Sequence, residues 1–169
     1  MKKVFFAVLA IVMMVPMMMK AQDKMGYINS YEVMMLMPEV SQVETQMADF
    51  NKQNQTYLET MYKEMQDKAA AYEQEKATLS ESIKKIKEEE LQSMYERFQT
   101  AQQDLQTEAQ KKQAELLKPL QDKLQAAIDT VAKKQGLVFV FDLSAGGIVY
   151  KGEKAVDITA AVKKELSIL

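Results

Sequence analysis

From residue 39 to residue 135 the chain contains no glycine, and its apolar residues recur at intervals of three and four, the period of one helix face. Val43, Met47 and Phe50 begin a stripe that continues through Tyr57, Leu58, Met61, Met65, Ala69 and Tyr72. A second stripe holds Ile83, Ile86, Leu91, Met94, Phe98, Ala101, Leu105, Ala109 and Leu116. The residues between are mostly Glu, Lys, Gln and Ala, all strong helix formers. The pattern predicts long helices with a coiled-coil-like seam. That seam is weakened where Asn54, Ala69, Ala101 and Ala109 occupy places that a zipper gives to Leu or Ile. A single helix of this length would span ~145 Å, so a hairpin is expected. Thr78 and Glu81 form a capping-box pattern that places its tip near residues 78–82. Pro38 and Pro119 then stand level with each other at the base of the arm. A proline inside a helix costs ~3 kcal/mol. The helix is nevertheless expected to run on through Leu120, Leu124, Ile128 and Val131 to Gly136, bent at Pro119 where the bond to the Glu115 carbonyl is lost. Pro38 and Pro119 are therefore candidate hinges.

The two chain ends have a different period. "KMGYINS", residues 24–30, suits a strand, and Ser30 can cap a short helix that stops before Pro38. Met34, Met35 and Met37 are expected in a core there. Gly136 suits the residue after a helix, "LVFVFD" a strand, "SAGG" a turn and "IVYK" a second strand, so a hairpin is predicted. Asp157 or Thr159 can cap a last helix. The fold class is α+β. A long antiparallel helical hairpin, residues 39–118, is inserted in a small β-rich body built from residues 22–38 and 119–169. So small a core is marginal alone, and its strand edges are open. Several copies are expected to pool their strands through Tyr27, Ile28, Val138, Phe139, Val140, Phe141, Ile148 and Val149, making a homo-oligomer.

Composition narrows the chemistry. Lys2 and Lys3 precede an apolar run, residues 4–15, then Pro16 and a small residue, Ala21. This reads as a secretory signal peptide cleaved near Ala21. An uncleaved membrane anchor is the alternative, but the run is short for a ~20-residue span and Pro16 breaks it. Without those residues the chain keeps 19 of its 22 Lys and Arg and all 24 Asp and Glu, a net charge of −5. That charge argues against nucleic acid as a partner. There is no cysteine, so no disulfide and no thiol nucleophile, which suits an exported protein of a periplasm-like space. There is no histidine, which removes the commonest general base and metal ligand. Glu88, Glu89 and Glu90 are consecutive on a helix and point in different directions, so they cannot chelate together. No enzyme, no cofactor and no metal site is expected.

The order of these pieces resembles a known family. "GYINS", "MPEV", a Gln/Glu/Lys-rich hairpin, "LLKPLQDKLQAAIDTVAKKQGLVFVFD", "IVY" and "VDITAAVKKEL" are similar to the OmpH/Skp family of periplasmic chaperones. The likeness covers the whole chain after the leader. It is most specific at residues 116–120, 136–142 and 157–159. The resemblance implies a homotrimer with a β-rich body and three helical arms around a cavity. There, unfolded outer-membrane proteins are held without ATP. The better-known members carry basic arm tips. Here residues 60–100 hold seven basic against nine acidic side chains, which argues against direct binding to anionic lipid.

An ATP-independent holdase needs a broad, mildly apolar and adaptable surface. Met47, Met61, Met65 and Met94 are flexible and polarisable. Tyr57, Tyr62, Tyr72, Tyr95 and Phe98 add rings. These nine are the candidate client-contacting residues. Their plainer role is to pack the seam, from which Tyr62 and Tyr95 stand aside. The competing function is a structural spacer or adaptor of the cell envelope. A spacer requires a strict heptad and a rigid seam, and this seam is interrupted.

Overall fold

The computed structural model describes residues 24–168, so the expected signal peptide lies outside the described residues. Along the chain come β1 (Lys24–Ile28), α1 (Ser30–Met35), α2 (Glu39–Glu75), α3 (Glu81–Gln135), β2 (Leu137–Asp142), β3 (Val156–Asp157) and α4 (Thr159–Glu165). Helices α2 and α3 form an antiparallel arm, ~55 Å long by the rise of α2. The strands, α1, α4 and the last turns of α3 form a small body at its base.

Local chemistry sets the element ends, in two places differently from expectation. Asn29, not Ser30, caps α1, and its side chain accepts the Glu32 N–H at 3.1 Å. Ser30 is left free to use its hydroxyl elsewhere. At the arm tip Ser80, not Thr78, caps α3 by accepting the Ile83 N–H. Thr78 instead donates its hydroxyl to the Glu75 carbonyl at 2.8 Å and closes α2. The turn thus covers residues 76–80, two residues earlier than the expected tip.

Helix α3 is continuous for 55 residues with Pro119 inside it. Magnitudes explain why it does not stop there. The proline costs ~3 kcal/mol. The turns beyond it bury Leu120, Leu124, Ala127 and Val131. Each buried Leu or Val is worth ~1.5–3 kcal/mol, so together they outweigh the lost bond. Pro119 itself is exposed, which leaves the unpaired Glu115 carbonyl on the side open to water.

The three-stranded sheet has the order β2-β1-β3, and both pairings are parallel. Chain direction dictates this. Strand β1 leads outward into α2, and α3 returns. Gly136, left-handed at φ 65°, reverses the chain so that β2 runs outward again beside β1. A register shift between Lys24 and Met25 leaves Val138 without a partner, so Leu137 and Val140 both turn toward the core while Phe139 and Phe141 face out. The predicted hairpin of β2 with "IVYK" is not formed. Gly146 and Gly147 turn the chain with positive φ, but residues 147–152 have no strand partner, and Val149 is 99% exposed. Ile148 and Val149 are therefore not strand residues within one chain.

The core gathers Ile28 of β1, Val33 of α1, Met37, the four buried residues of α3, and Ile158 and Val162 at α4. Met34 packs against it, but Met35 does not: α1 turns Val33 inward with Met34 beside it, and Met35 is left 48% exposed. Asp142 bolts the two chain ends together. Its carboxylate accepts the Ser30 N–H (3.1 Å) and hydroxyl, and the Ser144 N–H (2.9 Å) and hydroxyl (2.7 Å). Burial pushes the Asp142 carboxyl up, but these four donors outweigh it and hold it below its ordinary value of 3.8. A depressed carboxylate stabilises the fold above its unfolded pKa, and that contribution is lost as pH falls through the folded value. Urea midpoints measured as the pH is lowered below about 4 are thus expected to fall. Asp142→Asn should be less stable at neutral pH and show a shallower fall. Identical slopes for the two proteins would show that the Asp142 cluster does not contribute.

Candidate functional site

The arm is the largest surface of the molecule, and its seam decides what that surface offers. On α2 the residues covered by the partner helix are Val43, Met47, Phe50, Asn54, Leu58, Met61, Met65, Ala69 and Tyr72. These recur every 11 residues, as in Val43, Asn54 and Met65. On the distal part of α3 they recur every seven, as in Lys84, Leu91, Phe98 and Leu105. An 11-residue repeat favours a right-handed supercoil and a seven-residue repeat a left-handed one. No common winding is imposed, and all but Val43 and Tyr72 of these seam residues remain only half-buried.

Cross-arm contacts fix the register. Glu39 pairs with Lys123, Lys68 with Glu90, Glu75 with Lys87 (3.1 Å), Tyr62 with Phe98 and Tyr72 with Glu88. The two residue numbers of every pair add up to between 158 and 162, so the helices run side by side without slipping from tip to base. Pro119 accordingly lies about level with Ser41, less than one turn from Pro38. The hydrogen bond to Lys68, and its charge, hold the Glu90 carboxyl below the ordinary range, and Lys123 does the same for Glu39.

The nine candidate contact residues divide into three groups. Met47, Met61, Met65, Met94 and Phe98 lie in the seam, each half-buried. Tyr57, Tyr62 and Tyr95 are exposed beside it, and Tyr62 also stacks on Phe98 with ring centres 5.9 Å apart. Tyr72 is 5% exposed, and its ring cannot meet a partner. It is a tip lock instead: its hydroxyl donates to Glu88, and the Lys76 ammonium sits over its ring at 5.2 Å. Sequence periodicity misplaced the tip end of the α3 stripe. Lys84 and Lys87 occupy the seam there, and Ile83 and Ile86 are exposed. Lysine stems cover apolar surface while their ammonium groups reach Glu81 and Glu75.

A second surface lies on the body. Phe139 and Phe141, with ring centres 6.3 Å apart, face outward with Val138. Tyr31, Leu36, Ile148 and Tyr150 are also exposed. Of the proposed oligomerisation residues, Ile28 is core, Val140 packs against it, and Tyr27 is half-buried beneath the Lys151 ammonium at 4.0 Å. Tyr31, Leu36 and Tyr150 were not singled out from the sequence, although in "YEVMMLM" the helical period that turns Val33 inward already turns Tyr31 outward.

Among the described residues no group of three or more acidic side chains is placed to hold a metal ion, and no helix is long and apolar enough to cross a membrane. Glu88, Glu89 and Glu90 go separately to Tyr72, Lys85 and Lys68.

A two-helix arm on a small mixed body, with its notable side chains spread along helix faces, defines a protein that works through extended surface contact. The model of the OmpH-like outer membrane protein family matches residues 24–166, and the chain belongs to that family. It is 26% identical over 147 residues to the chaperone protein Skp of Pectobacterium atrosepticum, covering 87% of each chain. It is likewise 26% identical over 143 residues to the Skp chaperone of Yersinia enterocolitica, covering 85% of each. An OmpH-like outer membrane chaperone of Caulobacter crescentus CB15 has the same fold, with a TM-score of 0.68 at 21% identity over 86% of this chain and 85% of that one.

The tip lock has a measurable signature. Donation to Glu88, with burial adding to it, pushes the Tyr72 phenol up from 10.0 to about 12. Because the folded value is the higher one, the contribution of this hydroxyl is complete below pH 10.0 and is lost as pH rises through about 12. Ultraviolet titration of the seven tyrosines should show a late step that Tyr72→Phe removes and Glu88→Gln shifts toward lower pH. A wild-type titration without the late step would refute the lock.

Proposed function

We propose that the protein is an ATP-independent holdase of the periplasm that keeps unfolded outer-membrane proteins from aggregating. The observation that carries this is the loosely packed arm in a chain of the OmpH-like family whose relatives are Skp chaperones. Half-buried methionines in the seam and exposed tyrosines beside it give many weak, interchangeable contacts, which suits clients without fixed structure. The mismatched repeats of the two helices speak against a rigid spacer.

The working form is a homotrimer. Exposed apolar side chains on the body, among them Phe139, Phe141, Val149 and Tyr150, are the kind of surface that a second copy covers. The outer edge of β2 and residues 148–150 offer unpaired backbone to that end. The arms then project from the joined bodies, and Pro38 and Pro119 give the base of each arm its freedom to flex. Catalysis has no part in this function.

The function is tested by diluting an outer-membrane β-barrel protein out of urea and following turbidity. A molar excess of the wild-type chain should suppress the turbidity. Replacing residues 59–101, a level cut across both helices by the constant register, with a short Gly-Ser turn should abolish protection. Light scattering should report the same trimer for both proteins. Protection by the shortened chain would remove the arm from the mechanism, and a folded monomer at micromolar concentration would remove the trimer.

A further inference from the structure

Half-way along the arm the seam opens into a groove of about 460 Å³ between α2 and α3. Its floor is made by the half-buried seam residues Leu58, Leu105 and Ala109. The space exists because Asn54 and Ala109 stand where larger seam residues would meet. The Tyr62–Phe98 ring pair closes the distal end, with its planes tilted by 44°. The rim carries amides: Asn54 is half-buried, and Gln102 and Gln106 are exposed. Glu59 is the one charged side chain in the lining, and its carboxylate already accepts the Gln55 amide at 2.8 Å. The groove is thus apolar below, aromatic at one end, and polar but nearly uncharged at its edge.

That combination selects among side chains. An anionic group would lose water and meet no counter-ion, and a cationic group would find only Glu59, at the exposed edge and already bonded to Gln55, while leaving the apolar floor unused. An aliphatic group would satisfy the floor and leave the amide rim unused. A phenol or indole meets all three surfaces: its ring adds to a tilted aromatic pair, and its O–H or N–H reaches an amide oxygen. We propose that this groove is a subsite for a single tyrosine or tryptophan side chain of a held polypeptide. The subsite rests on the holdase reading and gives its diffuse surface one preferred anchor per arm.

The chain contains no tryptophan, so a probe's emission can be read without background. The probe is a capped, uncharged Gly-Ser peptide with one central Trp. Its emission should shift to the blue on titration with the full-length protein and saturate. The same peptide with Leu in place of Trp should compete about fivefold more weakly. Asn54→Leu and Ala109→Leu each fill the groove with a better seam residue. Both should raise the thermal midpoint and reduce Trp-peptide binding severalfold, a pair of opposite signs that misfolding cannot produce. Gln66→Ala, an exposed arm position outside the groove, should bind as wild type does. Equal competition by the Trp and Leu peptides, or full binding by both filled variants, overturns the subsite. Wild-type suppression of aggregation, measured in parallel, keeps the two proposals apart: protection without a Trp preference ends the subsite and leaves the holdase standing.

Discussion

Everything in this molecule depends on one helix belonging to two structures at once. The first two-thirds of α3 pairs with α2 as one side of the arm. Its last turns, beyond Pro119, are the wall on which α1, α4 and the sheet pack. Leu120, Leu124, Ala127 and Val131 repeat at intervals of four and three and present one continuous stripe to the body. A loop at Pro119 would have let arm and body move as beads on a string. A helix that tolerates the proline transmits the orientation of the body into the arm while weakening the joint at one exposed point.

The arm and the body achieve order by different means. The body packs a few fully buried side chains, such as Ile28, Val33, Ile158 and Val162, and adds a hydrogen-bonded bolt at Asp142. The arm has almost no fully buried residue between Val43 and Tyr72. Its register is kept by partly exposed ion pairs, which contribute little energy individually but penalise a slipped pairing. The seam leaves its methionines half in solvent, an arrangement that suits a surface meant to be touched by others. The tip is tightened separately by Tyr72, Glu88 and Lys76, so the weakly held length lies between two better-held ends.

Much of this was legible in the residues. The absence of glycine from residue 39 to residue 135 and the three-four spacing announce the arm, and Gly136 followed by "LVFVFD" announces the return to a strand. What was not legible depended on contacts across the chain. Lys84 displaces Ile83 from the seam because Ser80 sets the helix phase and the ammonium group finds Glu81. Met35 differs from Met34 only in which way a short helix turns. "IVYK" has the composition of a strand, but a strand needs a neighbour, and within one chain it does not take the outer edge of β2, which pairs only with β1. Asn54 and Ala109 were visible in the sequence as weak seam positions, but not that they open one mid-arm groove, because they lie on different helices and come together only through the register.

The parallel pairing of β1 with β2 sets the order in which the chain can assemble. Ser30 and Asp142 are bonded across 112 residues, and closing an unstructured loop of that size carries a substantial entropic cost. The α2–α3 hairpin, by contrast, zips through near neighbours outward from the turn at residues 76–80. Once zipped, it delivers both strands to the same place, and the loop left to close shrinks to the few residues around Pro38 and Gly136. The arm is thus its own body's folding jig, a local structure that converts the most distant contacts in the sequence into short-range ones.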